Sequence, residues 1–283
     1  MTSHPTGPRA TTARPKLGLS VPNMAEPGVL VDLGVRAEHH GWDGFFLWDH
    51  AHGSPDMPVP TADPWVVLGA LAVRTERIVL GTGITAPARR RPQKLARETV
   101  TVDRLSGGRF VLGAGLGEPP EEYTAYGESA DRQVLADKLD ESLDLLTAMW
   151  SGEPVDHEGR HYTVRHGQFL PTPLQEPRIP IWTAATVPHT KPLRRAARFD
   201  GVTIGNVNDS GALDPVPLGY VRTAIETIAA ERVVDAGPFD VAVGHPGMPT
   251  DDELAAYGDA GVTWITPSGW IDDLLALAGS SPR

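Results

Sequence analysis

Three short stretches hold side chains able to move protons or grip a ligand. Asp49-His50-Ala51-His52 follows an apolar run, Gly44 to Trp48. A histidine beside an acid is equipped for general acid–base work near neutral pH. Gly113, Gly115 and Gly117 alternate at the end of a second apolar run, and Glu118 follows them. Alternate glycines remove side chains from one face of a strand, so something flat and large can approach the backbone there. Thr186, His189, Thr190 and Lys191 follow a third run, Ile179 to Ala184. Lys191 falls at an expected helix start, where free N–H groups and the helix dipole favour a phosphate.

Other chemistries share these residue types. His50 and His52 resemble half of a metal site, yet a catalytic metal needs a third protein ligand. His189 is the only other histidine close to such a run's end on this side. Asp49 with Glu118 has the composition of a glycosidase pair. The same stretches offer glycine and threonine, not the exposed aromatics of a sugar subsite. Asp49 is also at home capping a turn, and His50 as a satisfied structural histidine. Gly83, in a strand-like run, reads as a bulge. Arg89-Arg90-Arg91 reads as a solvated run leading into Pro92 rather than a phosphate clamp. The glycines at 113–117 lack the last x-x-G of a dinucleotide loop, and Pro119-Pro120 stand where its helix should open.

These stretches must be positioned by the elements around them. Lys16 to Val21 reads as a strand ended by Pro22, and Pro27 to Gly41 as a helix with Leu30, Leu33, Val35 and Ala37 near helical spacing. Gly44 to Trp48 is a second strand. Asp63-Pro64 is an N-cap with proline at the first helical position, opening a helix to Arg74. Arg77 to Ile84 is a third strand, Pro92 to Leu105 a helix, and Arg109 to Gly115 a fourth strand. Arg132 to Trp150 is the clearest helix, with Leu135, Leu139, Leu143, Leu146 and Trp150 on one face. Ser151 to Arg178 breaks the rhythm with a hairpin strand near His161–Val164 and a proline-rich end, which we read as an insertion of the lid type. Strands at Ile179–Ala184, Gly201–Ile204, Phe239–Val243 and Val262–Thr266 then alternate with helices at Thr190–Phe199, Pro215–Val234, Thr250–Ala260 and Ile271–Leu277. Thr250 and Glu253 have capping-box spacing. Eight strand–helix units predict an α/β fold, a (β/α)8 TIM barrel with an insertion after the fourth helix, as one domain over 16–283. In that fold functional residues sit just after the strands, where all three stretches lie.

Composition narrows the classes. No apolar run approaches a membrane span, and Met1 to Pro15 is polar, a flexible leader rather than a signal peptide. That points to the cytoplasm. The net charge of −11 argues against nucleic-acid binding and requires any polyanionic cofactor to find a local basic patch. There is no cysteine, which excludes disulfides, thiolate nucleophiles and Cys-ligated metals.

Several motifs occur together: Trp48-Asp49-His50, Leu80-Gly81-Thr82-Gly83, Arg91-Pro92-x-x-Leu95-Ala96-Arg97, Leu105-Ser106-Gly107-Gly108-Arg109-Phe110-x-Leu112-Gly113-x-Gly115-x-Gly117, Tyr126-Gly127, Glu141-x-x-Asp144-x-Leu146 and Ile179-Pro180-Ile181-Trp182. In combination, from Lys16 to the last helix, the chain resembles the bacterial-luciferase-like family of flavin- and deazaflavin-dependent oxidoreductases. Such proteins are (β/α)8 barrels. They activate oxygen with reduced FMN, as monooxygenases, or move a hydride with the deazaflavin coenzyme F420.

The resemblance implies roles residue by residue. Asp49 would hydrogen-bond the cofactor. His50 would lie beside the reacting centre as base or stabiliser, and Glu118 would be the active-site acid. Gly83 and Ile84 would form a bulge behind the ring, where relatives often carry a non-proline cis peptide. Thr186 and Val187 would hold the phosphate through their backbone, next to Lys191 at the helix start, and the glycine floor at Gly115 and Gly117 would lie against the ring. A small-molecule substrate, a homodimer and, for FMN, a separate flavin reductase are implied as partners. Two positions depart from the pattern. Leu116 stands near the place of an arginine that grips the FMN phosphate in bacterial luciferase, and Ser54 replaces an active-site tryptophan of the sugar-phosphate dehydrogenases. The match of Asp49-His50 and Glu118 favours F420 over FMN. A non-catalytic flavin-binding protein on this fold and a metal-dependent barrel hydrolase are the readings from other classes.

Overall fold

The computed structural model describes residues 14–53, 58–209, 211–233 and 237–282. Ser54 and the leader before Arg14 lie outside them. The parallel strands are β1 (Lys16–Val21), β2 (Gly44–Leu47), β3 (Val79–Thr82), β4 (Phe110–Ala114), β7 (Ile181–Thr186), β8 (Gly201–Gly205), β9 (Asp240–Pro246) and β10 (Trp264–Ser268). They close in the order β1-β10-β9-β8-β7-β4-β3-β2, the (β/α)8 barrel that the alternation predicts. β5 (Val155–Glu158) and β6 (Thr163–Gly167) form a separate antiparallel hairpin.

The chain packs as two compact units. One holds Leu19–Ile181 with Gly269–Arg283, the other the described part of Met1–Gly18 with Trp182–Ser268. The first unit holds helices α1 (Pro27–His39), α2 (Pro64–Arg74), α3 (Pro92–Leu105), α5 (Arg132–Trp150) and α9 (Ile271–Ala278). Asp63 caps α2 by accepting from the N–H groups of Trp65 and Val66 at 2.9 and 3.0 Å. The leucine face of α5 is buried as its spacing requires, from Leu135 to Trp150. In α1, Leu30, Leu33 and Ala37 are buried but Val35 is not, because it falls off the stripe set by the other three. Arg109 locks the start of β4 to its neighbours: its guanidinium donates to the carbonyls of Ser106, Ile78, Thr75 and Ala72.

The insertion is held on the outside of the helices. Glu141 of α5 accepts from His157 Nε2 and from the N–H groups of His161 and Tyr162, all at 2.9 Å. Downstream, the buried Asp103 at the end of α3 accepts from Leu174 N–H and Gln175 Nε2 at 2.6 and 2.8 Å. Gln175 also donates to the carbonyl of Phe110, the first residue of β4. These contacts tie the segment to α5, α3 and the N-terminal end of β4, opposite to the end where Gly115 and Glu118 lie. The lid expected from the sequence is therefore a strap. Charged and amide side chains at positions of no obvious period hold it, and a hydropathy pattern does not register them.

In the second unit, α6 (Lys191–Ala196), α7 (Leu218–Glu231) and α8 (Asp251–Asp259) alternate with β7 to β10. The Thr250–Glu253 capping box is present. Trp182 and Trp264 pack edge to face, with ring centroids 5.6 Å apart. No described helix is long and apolar enough to cross a membrane.

Candidate active site

The dipeptide Asp49-His50, just past β2, is gripped at almost every polar atom. Both carboxylate oxygens of Asp49 are engaged by Arg90, at 2.9 Å from Nε and 2.6 Å from the second nitrogen, and Thr85 Oγ1 donates to one of them. Arg89 donates to the Asp49 carbonyl. Asn23, fully buried, accepts from the His50 N–H at 3.0 Å and donates to the His50 carbonyl at 2.9 Å. The His50 ring sits 5.6 Å from Trp48, and its Nδ1 is 2.7 Å from Glu122 Oε1. Burial works against the charge on Arg90, but the hydrogen bond and attraction from Asp49 outweigh it and hold its pKa above the ordinary value.

Several expected residues therefore have different surroundings. Asp49 is buried with both carboxylate oxygens on protein donors, so it clamps this loop; its expected hydrogen bond to a cofactor would use the remaining lone pair of Oδ1. Arg89 and Arg90 are not a solvated run: their side chains are 13% and 20% exposed, because two buried carboxylates need counter-charges. Only Arg91 of the three is exposed. Glu118 is more than half exposed and pairs with Arg132. The acid that meets His50 is Glu122, whose side chain is 1% exposed.

Glu122 lies on α4 (Glu121–Thr124), a single turn opened by Pro119 and Pro120. Tyr123 anchors that turn. It packs in a small core with Ala88 and Leu135, flanked by Leu116 and Ala130, and its hydroxyl donates to the Leu116 carbonyl. Burial pushes the Tyr123 phenol up to about 12. The signal for this was Glu122-Tyr123 itself, an acid beside an aromatic after a glycine turn. Glu118, Glu121 and Glu122 are indistinguishable until the pitch of the turn is known.

The end of β3 bulges. β3 pairs with β4 through Leu80–Phe110 and Gly81–Val111, then rejoins it at Thr85–Ala114, so one extra residue lies on the β3 side. The Gly83–Ile84 peptide within it is cis, and both residues are half-buried. The glycines of the expected floor serve the protein first. A Cβ on Gly113 would lie 2.0 Å from the Thr82 carbonyl oxygen, and one on Gly83 2.9 Å from Phe46 Cβ. Gly117 has φ +85° and leaves room for Ala86 and the Tyr123 hydroxyl. Gly115 is buried, with its N–H on the Thr85 carbonyl.

In the other unit, Thr186 ends β7 and is exposed; Val187 donates its N–H to the Gly205 carbonyl. Lys191 opens α6 and is exposed, followed by Arg194 and Arg195. An added Cβ on Gly205 would meet nothing, so the end of β8 is open backbone.

The luciferase-like monooxygenase family model matches residues 4–270. An uncharacterized protein of Mycobacterium tuberculosis is 31% identical over 261 residues, 85% of this chain and 88% of that protein. The F420-dependent glucose-6-phosphate dehydrogenase of Microbacterium testaceum is 36% identical over 167 residues, 57% of this chain and 48% of the dehydrogenase. The match thus spans about half the length of that relative. Among solved structures, an F420-dependent secondary alcohol dehydrogenase bound to an F420–acetone adduct superposes with TM-score 0.71 at 18% identity, covering 95% of this chain and 92% of that one. The F420-dependent tetrahydromethanopterin reductase of Methanopyrus kandleri gives TM-score 0.67 at 23% identity, covering 85% and 69%. At such identities the likeness is one of fold. With a family model matched over residues 4–270 and a relative 31% identical over 85% of the chain, this chain belongs to the luciferase-like monooxygenase family.

Proposed function

We propose that this protein is a cytoplasmic oxidoreductase that binds coenzyme F420 without a covalent link and moves a hydride between it and a small organic substrate. The observation that carries the reading is the state of His50. Its ring is part-exposed, at 21%, just past β2, while the charged groups around it are paired. Two carboxylates and two guanidiniums cancel, and Glu98, 3.9 Å from Arg90, is balanced by Lys94, so a ligand there meets an imidazole and backbone amides rather than an unpaired charge. That surface fits the flat, amide-edged ring of a flavin or deazaflavin. Bound there, the coenzyme would supply the hydride chemistry. The chain would orient the ring with the backbone of Gly83, Ile84 and Gly115, and His50 would take or give the proton. Glu118 is available to substrate as an exposed acid. Thr186, Val187 and Lys191 are assigned to the phosphate, where the basic residues of α6 relieve the acidity of the chain. F420-dependent relatives support the choice of coenzyme.

The proposal includes a homodimer. Val66 and Val73 of α2 are 72% and 62% exposed, and Gly69 and Ala70 lie between them on the same face.

Titration of the purified protein with F420, FMN and reduced FMN tests the coenzyme. F420 should bind tightest. His50→Ala should leave its affinity within a few-fold and slow hydride transfer by on the order of a hundredfold or more. Stoichiometric oxygen uptake with reduced FMN, and no hydride transfer to F420, would assign the protein to the oxygen-activating members and require a flavin reductase.

A further inference from the structure

Glu122 has no part in the reading of the sequence, yet it is the most enclosed acid near His50. Its Oε1 lies 2.7 Å from His50 Nδ1 and accepts from the Ala51 N–H at 3.1 Å. Its Oε2 accepts from Arg89. Arg89 in turn donates to the Asp49 carbonyl and lies over the Tyr123 ring, 5.9 Å from its centroid. A guanidinium is a permanent donor, and a carboxylate that it grips can only accept. The hydrogen between Glu122 and His50 must then come from the ring. A neutral imidazole carries one N–H, so a proton fixed on Nδ1 leaves the lone pair on Nε2.

We propose that Glu122, braced by Arg89, is a positioning residue that fixes His50 as its Nδ1–H tautomer and presents Nε2 as the proton acceptor. The ring cannot turn over without cost. Asn23 holds the backbone of His50 on both sides, and a flipped ring would set a C–H against a buried carboxylate. Among the described residues, no hydrogen bond reaches His50 Nε2. A substrate hydroxyl there would give its proton to Nε2 as its carbon loses a hydride to the coenzyme. The direction of the ring is independent of the function proposed above; only the use of Nε2 as a base rests on it.

Long-range 15N–1H spectra of the full chain without ligand decide the tautomer, with His50 assigned by its loss in His50→Gln. At a pH where the ring is neutral, Nδ1 should show the protonated-type shift and Nε2 the unprotonated-type shift. Glu122→Ala should move the proton toward Nε2, the form imidazole side chains prefer in water. Glu122→Gln should give a mixture, since a carboxamide can offer either an acceptor or a donor. A wild-type spectrum with the proton on Nε2 overturns the inference, as does a wild-type tautomer that persists in the variants. Should Glu122→Ala not fold, Glu122→Gln and the wild-type spectrum still decide. In turnover, Glu122→Ala should lower kcat by on the order of a hundredfold and Glu122→Gln by only a few-fold, following the Nδ1–H form that remains, at nearly unchanged KM, and F420 affinity should stay within a few-fold. If F420 does not bind at all, the proposed function fails while the spectra still decide the role of Glu122.

Discussion

Four charged side chains meet beneath His50, and none can be removed alone without stranding another. Asp49 is held by Arg90, and Glu122 by Arg89, with both acids almost wholly buried. Removing one partner of such a pair costs more than the pair contributes, because the survivor keeps a buried charge. Asp49→Ala should therefore destabilise the fold by about 3–5 kcal/mol in chemical denaturation. The lost stability would mark Asp49 as a clamp. A variant of wild-type stability that has lost only coenzyme affinity would mark it as a ligand instead. His50 could be named from its neighbours in sequence. The partner of its ring could not, because three glutamates follow the glycine turn and only the turn's geometry decides which one points inward.

The same division holds for whole elements. Regular repeats of apolar residues and a few capping residues were enough to place α2, α5, α8 and the strands that alternate with them. Their signals are local. The bulge at the end of β3 was readable, because Gly83 marks it. Elements held by single polar contacts across long separations were not readable: the strap after α5 hangs on Glu141 and Asp103. Glu38, near the end of α1, shows how such a contact behaves. Its carboxylate accepts from the N–H groups of Glu76, Arg77 and Ile78 at 2.6–3.0 Å and so caps the turn between α2 and β3. Burial opposes its charge, but these N–H groups outweigh it and hold the pKa below 4.5. A pKa lowered on folding contributes stability that is present above the unfolded value and lost as pH falls through the folded one. Glu38→Gln should thus cost about 0.5–1 kcal/mol near neutral pH, since water screens this part-exposed carboxylate. The difference should shrink in acid, as denaturation midpoints measured across pH would show. A gap independent of pH would mean that shape, not charge, caps the turn.

At the scale of the whole molecule, two predictions concern self-association and the effect of the acidic net charge on the proposed binding of an anionic coenzyme. α2 has no charged residue before Arg74, and Val66 and Val73 of its outward stripe are exposed among the described residues, with Gly69 and Ala70 half-buried between them. Light scattering should give twice the mass of one chain. Val66→Glu with Val73→Glu should halve that mass while leaving the circular dichroism unchanged. A wild-type monomer would leave the stripe without this role. The net charge of −11 makes coenzyme binding sensitive to salt in a direction opposite to that of a basic protein: modest salt should screen the repulsion felt by the phosphate on approach.

The neutral quartet beneath His50 also constrains inheritance. A change of one charge leaves a variant with an uncompensated ion in its interior, so drift at Arg89 is blocked unless Glu122 changes with it, and drift at Arg90 unless Asp49 does. Across descendants of this chain, the two pairs should be kept or lost together, each as a unit, while Glu118 and Arg132 at the solvent edge vary independently.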